Sequence, residues 1–279
     1  MGFDKVGVLF NERIPEARPL ASEIEGWLGQ RVDEVTVCAI DEVAEGSYLS
    51  ELKLLVTLGG DGSILHAARL AAPHEVLILG VNLGRVGFLT EAETDEWQDV
   101  LVQALSGDYW VEERMMLRVT AWRGQEKLGE AEALNDAVVG RGARGRAVHL
   151  RATVDGGELA TYVADGVIIA TPTGSTAYAL AAGGPILPPE LRNILLVPVA
   201  PHLSMERPIV LAEGVTVRIT VLGRRPAVLM VDGQAQTELE NRDVVSVEAS
   251  PHAARFARVR EQTYFYKTLV KRLVPRNEK

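Results

Sequence analysis

The run Leu58-Gly59-Gly60-Asp61-Gly62-Ser63 sets one carboxylate among three glycines, at a point where an apolar strand ends and a helix begins. Glycines permit close backbone approach by a ligand, and the N–H groups opening the next helix favour a phosphate. Asp61 alone would repel a phosphate, so its carboxylate has a separate task. It accepts a proton from a hydroxyl nucleophile or holds a metal ion that bridges phosphates. A tight strand-to-helix turn with Asp61 as the helix cap fits the same spacing. No Lys-Ser or Lys-Thr follows, which excludes a Walker A loop, and reading G-x-G-x-x-G from Gly60 puts Leu65 at the third glycine. His66 lies one helical turn beyond Gly62, where it can face the same ligand.

A second concentration of polar groups is Asp165-Gly166-Val167-Ile168-Ile169-Ala170-Thr171-Pro172-Thr173-Gly174-Ser175-Thr176-Ala177-Tyr178, followed by Gly183-Gly184-Pro185. An apolar strand leads into a loop dense in hydroxyls and then into a short helix. Hydroxyl and backbone donors suit a polar nucleotide, and Tyr178 offers a ring for a base or ribose. The alternative is a structural loop whose hydroxyls satisfy their own backbone. A formal G-x-G-x-x-G occurs at Gly140-Arg141-Gly142-Ala143-Arg144-Gly145, but strand-like segments flank it and it opens no helix, so it is a decoy. Its arginines and Arg146 make either a basic loop that reaches a phosphate or a solvated hairpin loop. Ser175 lacks the G-x-S-x-G frame of a nucleophile elbow, and the five histidines have no H-E-x-x-H spacing, so no dedicated zinc site is expected.

Two kinds of framework must position these groups. Val6–Phe10, Val32–Ile40, Leu52–Leu58 and Val76–Val81 read as strands; Leu20, Ile24, Trp27 and Leu28 share one helical face, and Ile64–Ala72 reads as a second helix. Strands alternating with helices predict a parallel sheet, whose ligands bind at the strand ends, where Asp61 falls. Thr94 or Asp95 is placed to cap a further helix through Leu105. After Asp108 strand follows strand. Val215, Val217, Ile219 and Val221 alternate with polar residues, and Asp155-Gly156-Gly157 joins Val148–Val154 to Leu159–Val163 as a hairpin. Ala227–Val231 and Val244–Glu248 read as further strands, and Gln262–Leu273 returns to helical spacing. The expected division is residues 1–108 as an α/β nucleotide-binding domain, 109–261 as an antiparallel β domain, and 262–279 docking back on the first.

The 279 residues suffice for two cores, and 29 basic against 38 acidic residues leave a net charge of −9. Such a chain repels polyanions, so neither a broad nucleic-acid surface nor an anionic membrane surface is expected, and an anionic ligand needs a local site. The single cysteine, Cys38, excludes a disulfide framework and fits a reducing cytoplasm. MGFDKVGVLF has neither the basic start nor the apolar core of a signal peptide, and no apolar run approaches the ~20 residues of a membrane span. A cytoplasmic location is expected.

Taken in order, Gly59-Gly60-Asp61-Gly62, Asn82-Leu83-Gly84 with Gly87-Phe88-Leu89, Asn135-Asp136, Asp165-Gly166 through Gly174-Ser175-Thr176-Ala177-Tyr178, Gly183-Gly184-Pro185 and Asp232-Gly233-Gln234 resemble the motifs of the NAD kinase family. The first motif alone is shared with related lipid kinases and 6-phosphofructokinases; the Thr171–Tyr178 segment narrows the match. The resemblance implies a Rossmann-like α/β N-terminal domain with a mostly parallel sheet, an all-β sandwich-like C-terminal domain, and a homodimer or homotetramer. It implies an enzyme that phosphorylates the adenosine 2′-hydroxyl of NAD, with ATP and Mg²⁺ or another divalent cation, Asp61 being the general base. It also implies binding roles for Gly62, His66, Asn135, Asp136, Arg146, Asp165, Thr176, Ala177, Tyr178, Ala179, Leu180, Ala181 and Gln234. Asp136 stands where Glu is usual, one methylene shorter, so its hydrogen bond needs a closer backbone or a bridging water. Two other functions remain open: a lipid or sugar kinase of the same superfamily, and a non-catalytic NAD(P)-binding regulator.

Overall fold

Apolar runs in the first third of the chain pair side by side in parallel. β1 (Lys5–Phe10) leads to α1 (Ala17–Leu28), β2 (Glu34–Ala39), β3 (Leu54–Gly59), α2 (Asp61–Ala71), β4 (Leu77–Asn82), the short β5 (Ala92–Glu93) and α3 (Trp97–Ser106). β1 lies between β2 and β3, β4 lies beyond β3, and β5 flanks β4, all parallel. Every residue of β3 and β4 is buried, as in a sheet covered on both faces. α1 buries Ala17, Ala21, Ile24 and Leu28 along one stripe, the spacing of an amphipathic helix. The structure, a computed structural model, describes residues 3–43, 48–84, 87–142, 146–202 and 206–273.

α3 departs from the expected start. Neither Thr94 nor Asp95 is its cap; that position is Glu96, which makes no side-chain cap bond. The chain is still held as a strand at Glu93, paired with Asn82. The turn that follows closes with the Glu96 N–H donating to Glu93 O at 3.1 Å, which delays the helix by one or two residues.

The rest of the chain is antiparallel: β6 (Trp110–Arg123), β7 (Glu126–Ala133), β8 (Asp136–Arg141), β9 (Val148–Val154), β10 (Gly157–Ala164), β11 (Gly166–Ala170), the one-turn α4 (Tyr178–Ala181), β12 (Asn193–Val199), β13 (Ile209–Ala212), β14 (Val217–Leu222), β15 (Ala227–Val231), β16 (Gln234–Leu239), β17 (Val244–Arg258) and then α5 (Tyr264–Leu273). Residues through Glu113, with those from Ala254 onward, make one compact unit, and Arg114–Ala253 make the other. Both changes of unit fall inside a strand, β6 and then β17, so no turn-rich linker marks them and the expected cuts at 108 and 261 stand a few residues away. In the first unit Arg255 and Phe256 lie parallel to Leu77 and Ile78, and Phe265 of α5 approaches Phe88 with ring centroids 6.5 Å apart. Residues 274–279 of the expected docking segment lie outside the described residues.

In the second unit β10, β9, β14 and β17 pair in that order, with β6 joined to β17 and β7 to β6. A second sheet runs β13-β12-β11-β8-β15-β16. Leu117, Val119, Leu150, Ile219 and Val247 from the first sheet and Val139, Val167, Ile169, Leu196 and Leu229 from the second fill one core. The second sheet has a further apolar face, where Val138, Ile168, Ala170, Leu195 and Val197 pack with Ala179 of α4. β11 is therefore buried at every residue and reads as a continuous apolar run rather than an alternation. The hairpin at Asp155 is tighter than expected. Asp155 and Gly156, at φ 49° and 81°, make the whole turn, and Gly157 already pairs with Val154.

Leu79 is fully buried in the core of the first unit. Leu79→Ala is expected to lower the free energy of unfolding by about 2–5 kcal/mol, read by urea denaturation. A loss below ~1 kcal/mol would contradict its place in a close-packed core.

Candidate functional site

At the end of β3 the chain turns into α2 through Gly59, at φ +157°, where a Cβ would stand 2.2 Å from Ser63 Oγ. Gly60 is the cap and makes no side-chain bond, so Asp61 is the first residue of the helix rather than its cap. The half-buried Asp61 carboxylate is held from a distant segment. Oδ2 accepts the Phe88 N–H at 2.9 Å and Oδ1 the Leu89 N–H at 3.1 Å. Gly87 makes this approach possible, because a Cβ there would stand 2.0 Å from Asp61 Oδ1. Two acceptor positions are thus used, and a carboxylate has about four, which leaves capacity for a proton or a cation.

Gly62 is exposed, and a Cβ on it would meet nothing within 4 Å, so neither packing nor a positive φ requires glycine there. His66, half-buried on α2, has its pKa lowered by burial and then by the Arg69 charge, against a smaller pull from Asp41. It is a neutral imidazole near pH 7. Asn82 is buried and tied to its own turn, donating to Gly84 O at 3.2 Å and to Glu93 Oε2 at 2.9 Å.

The second unit builds its own cluster around a hairpin. Asp232 and Gly233, at φ 47° and 76°, form the two-residue turn between β15 and β16, a shape that Asp-Gly favours. Asp232 Oδ2 accepts the Leu134 N–H at 3.0 Å, and Oδ1 accepts those of Asn135 at 2.8 Å and Asp136 at 3.1 Å. Asn135 O accepts the Thr171 N–H at 2.9 Å. A Cβ on Gly174 would come within 2.1 Å of the same oxygen, so only glycine lets the loop close there. Desolvation by burial, and then the Asp232 charge, push the Asp136 carboxyl up to about 7.

Three hydroxyls of this loop donate to backbone carbonyls. Thr171 Oγ1 donates to Leu134 O at 2.5 Å, Ser175 Oγ to Pro172 O at 2.6 Å, and Thr176 Oγ1 to Thr173 O at 3.1 Å. The donors of Thr171, Ser175 and Thr176 are thereby used, while each hydroxyl oxygen keeps the capacity to accept. Ala179 is fully buried, its methyl packed in the core of the second sheet. Tyr178 is 45% exposed, Ala181 is exposed, and Ala177 and Leu180 are half-buried.

Asp165 is not brought to Asn135 and Asp136. β11 runs antiparallel to β8, pairing Gly166 with Gly140 and Ala170 with Asp136, so Asp165 stands at the opposite end of the pair, about 17 Å from Asp136 at ~3.3 Å per residue. There it pairs with Arg141, Nη2 to Oδ2 at 3.2 Å. Gly140 and Arg141 close β8 and begin no helix, so the formal glycine motif is not a dinucleotide fingerprint. Arg146 is exposed, Arg144 lies outside the described residues, and Gln234, also exposed, opens β16.

The ATP-NAD kinase N-terminal domain profile matches residues 6–109, and the ATP-NAD kinase C-terminal domain profile matches residues 134–259. The chain belongs to the NAD kinase family. The NAD kinase of Chloroflexus aurantiacus is 40% identical over 271 residues, 97% of this chain and 98% of that protein. That of Heliobacterium modesticaldum is 42% identical over 270 residues, 93% and 95% of the two chains. Among solved structures, an NAD kinase from Archaeoglobus fulgidus in complex with ATP matches with TM-score 0.74 at 25% identity, over 97% of this chain and all of that one. Yeast NADH kinase complexed with NADH shares the fold, with TM-score 0.87 over the whole of this chain and 89% of that one.

Four residues of this NAD kinase family member took no anchoring role from the sequence: Gly87, Phe88, Leu89 and Asp232. Only Asp232 carried a local signal, an Asp-Gly pair between two strands.

Because the Asp136 pKa is raised on folding, the folded state binds more protons than the unfolded one between about pH 4 and pH 7. Stability is full below the unfolded value of 3.8 and falls as pH rises through about 7. Asp136→Asn is expected to remove this dependence. Its gain over the parent should grow between pH 4 and pH 8 toward an upper bound of ~4 kcal/mol, at roughly 1.4 kcal/mol per pH unit. Urea titrations at both pH values measure it, and a gain that is the same at both would contradict it.

Proposed function

We propose that this protein transfers the γ-phosphoryl group of ATP to the adenosine 2′-hydroxyl of NAD, giving NADP. The observation that carries the reading is Asp61, a carboxylate at the end of a parallel strand whose direction is set by the Phe88 and Leu89 amides. A phosphate-binding turn does not need that charge, whereas a hydroxyl nucleophile needs a proton acceptor aimed at it. Phosphoryl transfer asks the protein mainly for positioning, and a carboxylate oriented from both oxygens supplies it. Gly62 supports close approach of substrate, since the chain itself has no use for glycine there.

In the second unit, we assign Asn135 and Asp136 to the ribose or nicotinamide groups of NAD. A carboxyl with a pKa of about 7 can donate as well as accept a hydrogen bond. The exposed Tyr178 ring offers stacking area, and Thr176, Ala177, Leu180, Ala181 and Gln234 are assigned as further contacts. Asp165, Arg146 and His66 are assigned to binding on the family resemblance.

Among the described residues no group of three or more His, Cys, Asp and Glu is arranged to hold a metal. Mg²⁺ commonly binds through one or two carboxylates and substrate phosphates, and the spare acceptor positions of Asp61 fit that mode. The ion, arriving with ATP, would offset charge on the phosphates. A cytoplasmic homodimer or homotetramer completes the proposal, with light scattering as its readout. Among the described residues no helix is long and apolar enough to cross a membrane.

The test is incubation with NAD, ATP and Mg²⁺, with NADP followed by chromatography. Formation of NADP is expected; no product with either ATP or polyphosphate would sink the proposal in favour of a non-catalytic NAD(P)-binding regulator. Asp61→Asn is expected to keep NAD binding and lower kcat by about 10²–10⁴-fold. Unchanged turnover in the folded variant would remove Asp61 from the role of base.

A further inference from the structure

Beneath the residues that touch Asp61 lies a buried ionic cluster to which neither the family motifs nor the proposed chemistry assigns a role. The Arg258 side chain is 8% exposed and that of Glu91 2%. Arg258 Nη1 donates to Leu89 O at 3.0 Å and to Glu91 Oε2 at 3.1 Å, while Nε donates to Glu112 Oε2 at 2.7 Å. Glu91 Oε1 in turn accepts the N–H groups of Val259 at 2.9 Å and Arg260 at 2.8 Å. The Glu91 N–H donates to Gly80 O on β4 at 2.8 Å. The guanidinium also lies 4.8 Å from the centroid of the Phe256 ring.

A buried cation with this many partners is costly unless its geometry is used. Here Leu89 is held on both sides: its carbonyl by Arg258 and its N–H on Asp61 Oδ1. A shift of the guanidinium therefore moves the peptide that carries one of the two amides aimed at Asp61. Burial opposes the charge on Arg258, but Glu112 and Glu91 outweigh it and raise its pKa, so the anchor stays charged. An ammonium could not replace it, because only the planar fork supplies the several donors in fixed directions.

We infer that Arg258, supplied by the last strand, is a positioning residue that sets the direction of the Asp61 carboxylate through the Leu89 peptide, with Glu91 as its counter-anchor. The inference rests on the reading of Asp61 as the proton acceptor. Removing the Arg258 side chain would leave two buried carboxylates without their cation, so the variant of choice is Arg258→Lys, which keeps the charge and loses the fork. In the full-length protein it is expected to lower kcat about 10–100-fold, as misplacement of a reacting group does. KM values for NAD and ATP should stay within about twofold, since ground-state binding is untouched. Hydrogen exchange at the Leu89 amide should quicken.

The control is Arg123→Lys in the second unit, which loosens a comparable fork onto buried Asp243 and is expected to lower Tm without lowering kcat. An unchanged kcat in folded Arg258→Lys, an equal fall in Arg123→Lys, or a fall with unaltered exchange at Leu89 would each overturn the inference. If Arg258→Lys does not fold, Glu91→Gln keeps the acceptor for Val259 and Arg260 and removes the charge facing Arg258. The same split with a smaller fall in kcat is then expected, and an unchanged kcat overturns the inference. Failure of the Asp61 reading is told apart by Asp61→Asn: full turnover there removes the base, while exchange at Leu89 still reports the hold of Arg258.

Discussion

A carboxylate at the first residue of a helix, gripped by two amides 27 and 28 positions further along the chain, is the contact around which the first unit is arranged. The helix start favours negative charge through its exposed N–H groups, and the two added donors fix where that charge points. The surrounding glycines follow from this grip. Gly59 makes room for Ser63 beneath the turn, and Gly87 brings its segment close enough to bond Asp61. The parallel sheet supplies the strand end, and the buried Arg258 cluster supplies the rigidity of the segment that grips.

The second unit uses an aspartate in the opposite way. Asp232 spends its carboxylate on three successive backbone N–H groups, fixing the path of Leu134, Asn135 and Asp136. Burial, and then this charge, push the pKa of the neighbouring Asp136 carboxyl up to about 7, so it is partly protonated at pH 7. One carboxylate orders the backbone, and the other is left as a group that can both give and take a hydrogen bond. The hydroxyl-rich loop closes against Leu134 and Asn135, through Thr171 and the glycine at 174.

Much of this arrangement is legible in the order of residues. Asp61 stands out because a charged residue in a glycine turn has few structural uses, and β14 shows its half-buried face as an alternation of Val and Ile with polar residues. β11 and β3 are legible as apolar runs, since both faces are covered. Of the long β17 only the start, Val244–Glu248, is legible, and β6 is not, because alternation lapses within both while the ladder bonds continue. The hydroxyls of Thr171–Thr176 look like ligand donors in sequence, where donors carry no direction; in three dimensions those of Ser175 and Thr176 donate to carbonyls of the loop itself and that of Thr171 to Leu134 O. Ala179 reads as one more residue of a binding segment until the sheet beneath it is present to bury it.

Local order and residue type by themselves determined the class of each half, the turn chemistry of Asp155-Gly156, and the carboxylate set among glycines. These are short-range properties, decided by backbone sterics and by the period at which apolar side chains repeat. Tertiary structure alone decided what holds that carboxylate. Phe88 and Leu89 present only main-chain groups to it, and a main-chain N–H has no signature in a sequence. Arg258, 169 positions beyond Leu89, reaches it only because the final strand runs alongside β4.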